Sequence, residues 1–321
     1  MGDTKIEWAD KVWNPVTGCT KVSEGCRHCY AERDFARPYP GRKFTDVVCH
    51  EDRLEAPLHW RKPARIFVNS MGDLFHEAVP DEFIARILSV AGLGKGKHHV
   101  YQILTKRPAR MKAIIEDICA VGNCMPPSNL WLGVSVENQA TADERIPLLL
   151  QTPVALRWIS YEPALGPLDL RAIEQADDED GSGALFFPLD GEFTCEGRNE
   201  PAPIKSGGIR WVVCGGESGP QARPMHPDWA RAVRDQCQAA GVPFFFKQWG
   251  EWEPSLKFLE QFKDVSPKTP VLRLSSDAHI GHNLAEMEGH PRQGLMVKTG
   301  KKRAGRLLDG REWNEYPEVH A

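Results

Sequence analysis

Residues 100–138 read VYQILTKRPARMKAIIEDICAVGNCMPPSNLWLGVSVEN, and this stretch decides the fold. It opens on one short apolar run, Val100 to Leu104, and closes on a longer one, Leu130 to Val136. Runs of this kind, rich in β-branched and aromatic side chains, suit strands buried on both faces, as in a parallel sheet. Between them Pro108 starts a helical stretch with Met111, Ile114, Ile115 and Ile118 on one stripe. Strand, helix and strand in that order are the unit of an α/β fold.

The unit recurs along the chain. Arg65 to Asn69 (RIFVN), Leu156 to Ser160 (LRWIS), Ile209 to Cys214 (IRWVVC) and Pro243 to Phe246 (PFFF) read as further strands, with a weaker one near Lys11 to Pro15. Trp131, Trp158 and Trp211 lie inside these runs and are expected in the core rather than in a binding stripe. Pro80-Asp81-Glu82 opens a second helix and His226-Pro227-Asp228 a third, which Gly241 stops. Alternation repeated six or seven times predicts an α/β protein built as a parallel (β/α) barrel, complete or partial. Residues 1–255 are expected to form it, with a surface insertion at about 176–208 marked by Asp177 to Asp180 and several glycines. Residues 256–321 are expected as an extension packed on the barrel, carrying a basic stretch from Lys298 to Arg306.

Composition narrows the function classes. The chain has 321 residues, 41% of them hydrophobic and 26% charged, enough apolar material for a proper core. A net charge of −4 provides no global attraction to nucleic acid, so any polyanion contact needs a local patch. No run approaches the roughly 18 apolar residues of a membrane span, and no membrane partner is expected. The opening MGDTKIEWAD is too polar and acidic for a secretory signal, and Lys5-Ile6 spoils the myristoylation pattern. A cytoplasmic protein is expected.

Of nine cysteines, Cys49, Cys119, Cys124, Cys195, Cys214 and Cys237 are scattered and read as small buried hydrophobes. Cys19, Cys26 and Cys29 crowd into eleven residues, spaced C-x6-C-x2-C. Thiolates are soft ligands that select iron–sulfur clusters or zinc, and three without a fourth leave one metal position open for chemistry. The motif follows the first expected strand, on the face where parallel barrels build active sites. A [4Fe–4S] cluster on Cys19, Cys26 and Cys29 is the leading expectation. Zinc completed by His28 or a distant residue is the rival.

With an aromatic, Tyr30, after the last cysteine, the motif resembles the signature of radical S-adenosylmethionine (SAM) enzymes, though with six residues where the commonest spacing has three. More narrowly, the chain resembles a phage-associated, radical-SAM-like three-Cys-motif family of undefined substrate. The segments that carry the resemblance are WNPVTGC with CRHCYAE, then VNSMGDLFH, QILTKRP, GVSVEN, SYEPALGPL, GGESG and GRLLDGREW, from residue 13 to 313. It implies a barrel of radical SAM type in which a reduced [4Fe–4S] cluster cleaves SAM to a 5′-deoxyadenosyl radical that abstracts hydrogen from substrate. It also implies an electron donor as partner and, by the phage association and a distant likeness to the radical enzyme that repairs spore DNA photoproducts, a nucleic-acid base or nucleotide as substrate. If phage-encoded, the protein belongs in the bacterial host cytoplasm.

Residues at the strand ends then become candidates for the SAM site. Asn69, Ser70, Met71 and Asp73 follow the second strand, where the resemblance implies a segment that holds the SAM amino group. Lys106 and Arg107 suit the SAM carboxylate or a substrate phosphate, and Ser135, Glu137 and Asn138 the ribose hydroxyls. Glu162 ends the fifth strand, and Gly215, Gly216 and Glu217 end the sixth, where three glycines in five residues imply close backbone approach to a ligand. Two further function classes stay open: a glycoside hydrolase using Glu162 and Glu217, and a zinc-stabilised module gripping nucleic acid through the basic stretch.

Overall fold

The computed structural model describes residue 4 and residues 6–92, 94–123, 125–175, 184–195, 202–203, 207–254, 271–274, 280–281 and 295–318. Seven parallel strands, β1 (Lys11–Trp13), β2 (Arg65–Val68), β3 (Val100–Thr105), β4 (Leu130–Val136), β5 (Leu156–Tyr161), β6 (Ile209–Gly215) and β7 (Phe244–Gln248), lie side by side in chain order. The sheet curls into a half-barrel, so the partial form of the expected parallel barrel is the one present. Its parallel register explains the sequence pattern: β4 and β5 are buried at every position.

Helices cover the outer face. They are α2 (Asp81–Gly92), α3 (Pro108–Gly122), α4 (Gln139–Gln151) and α5 (Pro227–Ala239), whereas the short α1 (Tyr30–Asp34) follows the cysteines, and its Tyr30 and Arg33 line the cavity at the mouth. Ile84 and Ile87 of α2, Met111 and Ile115 of α3, Leu149 of α4 and Val233 of α5 share one core with the outward-facing strand residues. Helix α4 is absent from the periodicity reading because Pro147 lies inside it and reads as a breaker. The chain compensates at the start, where Asn138 and Thr141 form a reciprocal capping box. No helix among the described residues is long and apolar enough to cross a membrane.

The concave face carries a second core. Phe67, Trp131, Trp158, Trp211 and Phe245 project into it, and Trp8 from the N-terminal segment fills its centre, its ring 4.7 Å from Phe67 and 5.3 Å from Trp158. Edge-to-face pairs of this kind add about 0.5–1.5 kcal/mol each beyond area burial. Gly133 leaves room for the Trp158 ring, since a Cβ there would lie 2.6 Å from it. One step nearer the C-terminal ends of the strands the inward positions are small: Ser135 and Ser160 stand opposite each other in register, and Gly215 follows on β6. Large residues below and small ones above leave a space at the mouth of the half-barrel.

Both ends of the sequence complete the body. Residues 313–315 run beside β7, with Phe246 N–H donating to Trp313 O (2.9 Å) and Glu315 N–H to Phe244 O (3.3 Å), which covers that sheet edge. Tyr316 then stacks on Trp211 (5.5 Å) and takes the Arg65 guanidinium on its ring (4.1 Å), bridging from β7 back towards β2.

The insertion after β5 includes four short antiparallel strands, Ile173–Gln175, Ala184–Phe187, Glu192–Cys195 and Ala202–Pro203; the acidic run Asp177 to Asp180 lies outside the described residues. Trp252–Pro254 pairs with Leu295–Lys298 in a separate antiparallel sheet. Cys214 and Cys237 are fully buried and Cys49 and Cys119 pack on the core; Cys124 and the Cys195 side chain lie outside the described residues.

Replacing Gly133 by Val is expected to destabilise the protein by about 1–3 kcal/mol, the usual cost of overpacking. A lower urea midpoint at unchanged slope would show it; an unchanged midpoint would mean that Trp158 moves aside freely.

Candidate functional site

The cysteine loop sits at the C-terminal mouth of the sheet. After β1 the chain turns at Gly18, in the left-handed region at φ 94°, where a Cβ would lie 2.5 Å from Asp46 O. Gly18 N–H donates to Met71 O and Cys19 N–H to Phe44 O, both at 2.9 Å. Cys19, Cys26 and Cys29 line one cavity of about 150 Å³ together with Asn69, Ser70, Asp73, Lys106 and Ser135. Along Cys29, Tyr30, Lys106 and Ser135 this cavity shares a wall with a larger one of about 460 Å³, whose lining also includes Trp8, Glu162, Gly216 and Glu217. The structure thus brings most of the expected site residues to two adjoining cavities.

Three groups of strand-end charges anchor the loop. Arg107, after β3, donates from Nη2 to Thr20 O (3.2 Å) and Oγ1 (2.9 Å), and from Nη1 to Cys19 Sγ (3.5 Å) and Asp73 Oδ2 (3.3 Å). Glu137, after β4, accepts from Ser23 Oγ (3.0 Å), from Lys106 and from Arg145 Nη1 (3.2 Å), and presses so closely on Gly25 that a side chain there has no room. Glu217, after β6, contacts His28 Nδ1 (3.2 Å) and accepts twice from the Arg223 side chain, which also reaches Glu24 O (3.0 Å).

Met71, Glu137, Asn138 and Gly215 stand off the cavity walls. Glu137 is 1% exposed and wholly engaged with Ser23, Lys106 and Arg145. Asn138 spends its side chain on capping α4. Asn69 lines the smaller cavity, whereas Gly215 serves another need: it leaves β6 bare so that Lys247 on β7 reaches Glu162 after β5, at 2.7 and 2.9 Å. Gly216 borders the larger cavity, but its backbone also packs on Trp249 O, so its smallness answers to protein backbone.

Asp73 is committed as well, accepting from Thr105 Oγ1 (2.8 Å), Lys106 N–H (3.2 Å) and Phe75 N–H (3.0 Å). The basic stretch is drawn into its own surroundings: Lys298 donates to Pro220 O, Lys301 faces Glu7 (3.8 Å) and Arg303 faces Glu253 (3.9 Å). Sequence reading missed Arg145, Arg223 and Ser23, which meet their partners only through the fold. The Arg145 position, eight residues after Glu137 on the following helix, is the one local signal.

Burial favours the neutral form of the thiols. Burial pushes the Cys19 thiol up to about 12, with Asp73 adding to the effect and Arg107 opposing it. Burial also raises Cys29. Metal binding offsets that cost by replacing the proton. Asn69 Nδ2 is buried without a hydrogen-bond partner at the wall of the same cavity, while its Oδ1 accepts from Val16 N–H (3.2 Å) and its backbone takes a left-handed φ of 63°. An orphaned donor on a constrained backbone is a feature of ligand-facing positions. Among the described residues no group of three His, Cys, Asp or Glu side chains is gathered to hold a metal ion. Cluster cysteines bind different irons and so need not converge on one point, whereas a zinc site requires such convergence, and His28 is engaged with Glu217. Burial alone would raise the Glu217 carboxyl, but Arg223 and His28 hold it below the usual range, the opposite of what a glycosidase acid needs.

Burial likewise works to raise Glu137, and Lys106 and Arg145 outweigh it, so its carboxyl lies below the usual range. Its contribution to stability is therefore complete above the unfolded value of about 4.3 and is lost as pH falls through the lower folded value. Glu137→Gln is expected to cost about 3–5 kcal/mol at neutral pH by stranding Lys106 and Arg145, and to flatten the acid limb of stability against pH. Denaturant titrations at a series of pH values check both; an acid limb as steep as in the unaltered protein would show that Glu137 does not control it.

Comparison with curated proteins and with solved structures found no match. A family match extends over residues 3–317, taking in the half-barrel, the cysteine loop and the C-terminal segment alike, and the chain belongs to that family, described as protein of unknown function (DUF5131).

Proposed function

We propose that the protein is a radical SAM enzyme whose [4Fe–4S] cluster is held by Cys19, Cys26 and Cys29. The observation that carries this reading is the meeting of all three thiols at one cavity in the mouth of a parallel half-barrel, with a larger cavity directly adjoining. A reduced cluster bound there would supply the one electron for reductive cleavage of SAM to methionine and a 5′-deoxyadenosyl radical able to take hydrogen from a substrate.

The chain's own residues have simpler tasks. The three cysteines hold the cluster and leave one iron for SAM. Lys106, common to both cavities, suits the SAM carboxylate and Ser135, also common to both, the ribose hydroxyls, while Asn69 and Ser70 present polar groups on the cluster side. Trp8, Phe67 and Leu104 give the larger cavity an apolar wall that excludes water from a reactive species. No strong acid or base is demanded, which agrees with Glu162, Glu137 and Glu217 all being tied in ion pairs. The substrate class we favour, from the family resemblance, is a nucleic-acid base or nucleotide, with an electron donor as partner.

Anaerobic purification beside a Cys26→Ala variant tests the reading. About four irons per chain and a broad absorbance near ~400 nm, both lost in the variant, are expected for a thiolate-bound cluster. Dithionite and SAM should then yield 5′-deoxyadenosine. A colourless protein holding one zinc would sink the proposal and favour the zinc-stabilised module.

A further inference from the structure

We infer that Arg107 tunes the cysteine site, making a cluster bound there easier to reduce by donating a charged hydrogen bond to Cys19. The inference rests on the cluster reading above and assigns Arg107 a positioning role, since it touches a ligand sulfur rather than substrate.

The geometry leaves this side chain little choice. Arg107 is 7% exposed. Its backbone N–H donates to Thr105 Oγ1 (2.9 Å), fixing the root of the side chain at the end of β3. Nε lies 3.0 Å from both Glu77 carboxylate oxygens, and Nη2 is taken by Thr20. Nη1 is thereby aimed at Cys19 Sγ (3.5 Å) and Asp73 Oδ2 (3.3 Å). A guanidinium held at every nitrogen cannot swing away when the sulfur changes charge. The Cys26 sulfur has a neutral neighbour instead, the Ser23 hydroxyl at 3.9 Å.

Reduction adds one electron, and with it one negative charge, to a cluster and its sulfurs. Hydrogen bonds to those sulfurs and nearby net charge are main determinants of its potential. A fixed cation beside Cys19 stabilises the reduced state more than the oxidised one. Asp73, in contact with the same guanidinium, acts in the opposite sense. The two residues therefore form an opposed pair whose effects carry opposite signs.

The test is a mediated dithionite titration of the full-length protein, reconstituted anaerobically and followed by visible absorbance and electron paramagnetic resonance, with iron quantified in each sample. Arg107→Gln is expected to retain iron and to make reduction about tenfold less favourable, a shift of about 59 mV to more negative potential for one electron. Arg107→Lys should shift less, because the ammonium keeps the charge without the fork. Asp73→Asn should shift the potential the other way. An unchanged potential in Arg107→Gln at full iron content, or shifts of the same sign in Arg107→Gln and Asp73→Asn, would overturn the inference. Should Arg107→Gln fail to fold, Arg107→Lys against Asp73→Asn decides by the same signs. Absence of iron from the unaltered protein would instead remove the cluster reading, and this inference with it.

Discussion

The buried carboxylate of Glu137 is the constraint on which the rest of the site depends. It ends β4, is 1% exposed, and gathers Lys106 from β3, Arg145 from α4 and Ser23 from the cysteine loop. A buried charge is tolerated only when such partners are present, and removing one of them is costly. The arrangement therefore couples three strand-end elements to the loop that carries the thiols. Arg107 on one side and Glu217 with Arg223 on the other repeat the same principle. The loop is tethered by charge to the end of the sheet, with little apolar packing of its own.

The sheet beneath supplies a different kind of order. Its outer face buries aliphatic residues against helices, and its concave face is layered by size. Trp131, Trp158, Trp211 and Trp8 fill the lower layer, where Gly133 makes room for the Trp158 ring, while Ser135, Ser160 and Gly215 keep the upper part open. The cavities are thus a consequence of side-chain volume at alternating strand positions. The aromatic layer also makes the site one-sided: access lies at the mouth, over the cysteine loop.

Burial of the thiols and the neutralisation of the surrounding carboxylates complement each other. Cys19 and Cys29 are held away from their charged forms by desolvation. The neighbouring acids are instead fixed as anions by lysine and arginine, which leaves them as structural and orienting groups rather than proton donors. Gly216, next to Glu217, packs on the backbone of Trp249 and keeps this second anchor close to β7.

How much of this was legible in the sequence follows from the range of each interaction. Local hydrophobic runs determined the strands, because a parallel strand buried on both faces needs apolar residues at nearly every position, and the spacing of the three cysteines singled out the loop that the fold brings to one cavity. Strand-end positions such as Lys106, Ser135 and Glu162 followed from the same reading. Helix α4 did not, since Pro147 masks a helix that its capping box and tertiary packing secure. Nor did the roles of Glu137 and Gly215, which depend on partners far along the chain: Ser23 lies 114 residues from Glu137, and Lys247 lies 85 from Glu162. Short-range sterics and hydrophobicity are written residue by residue in the sequence, whereas the pairing of buried charges is decided only when the sheet closes and brings them within reach.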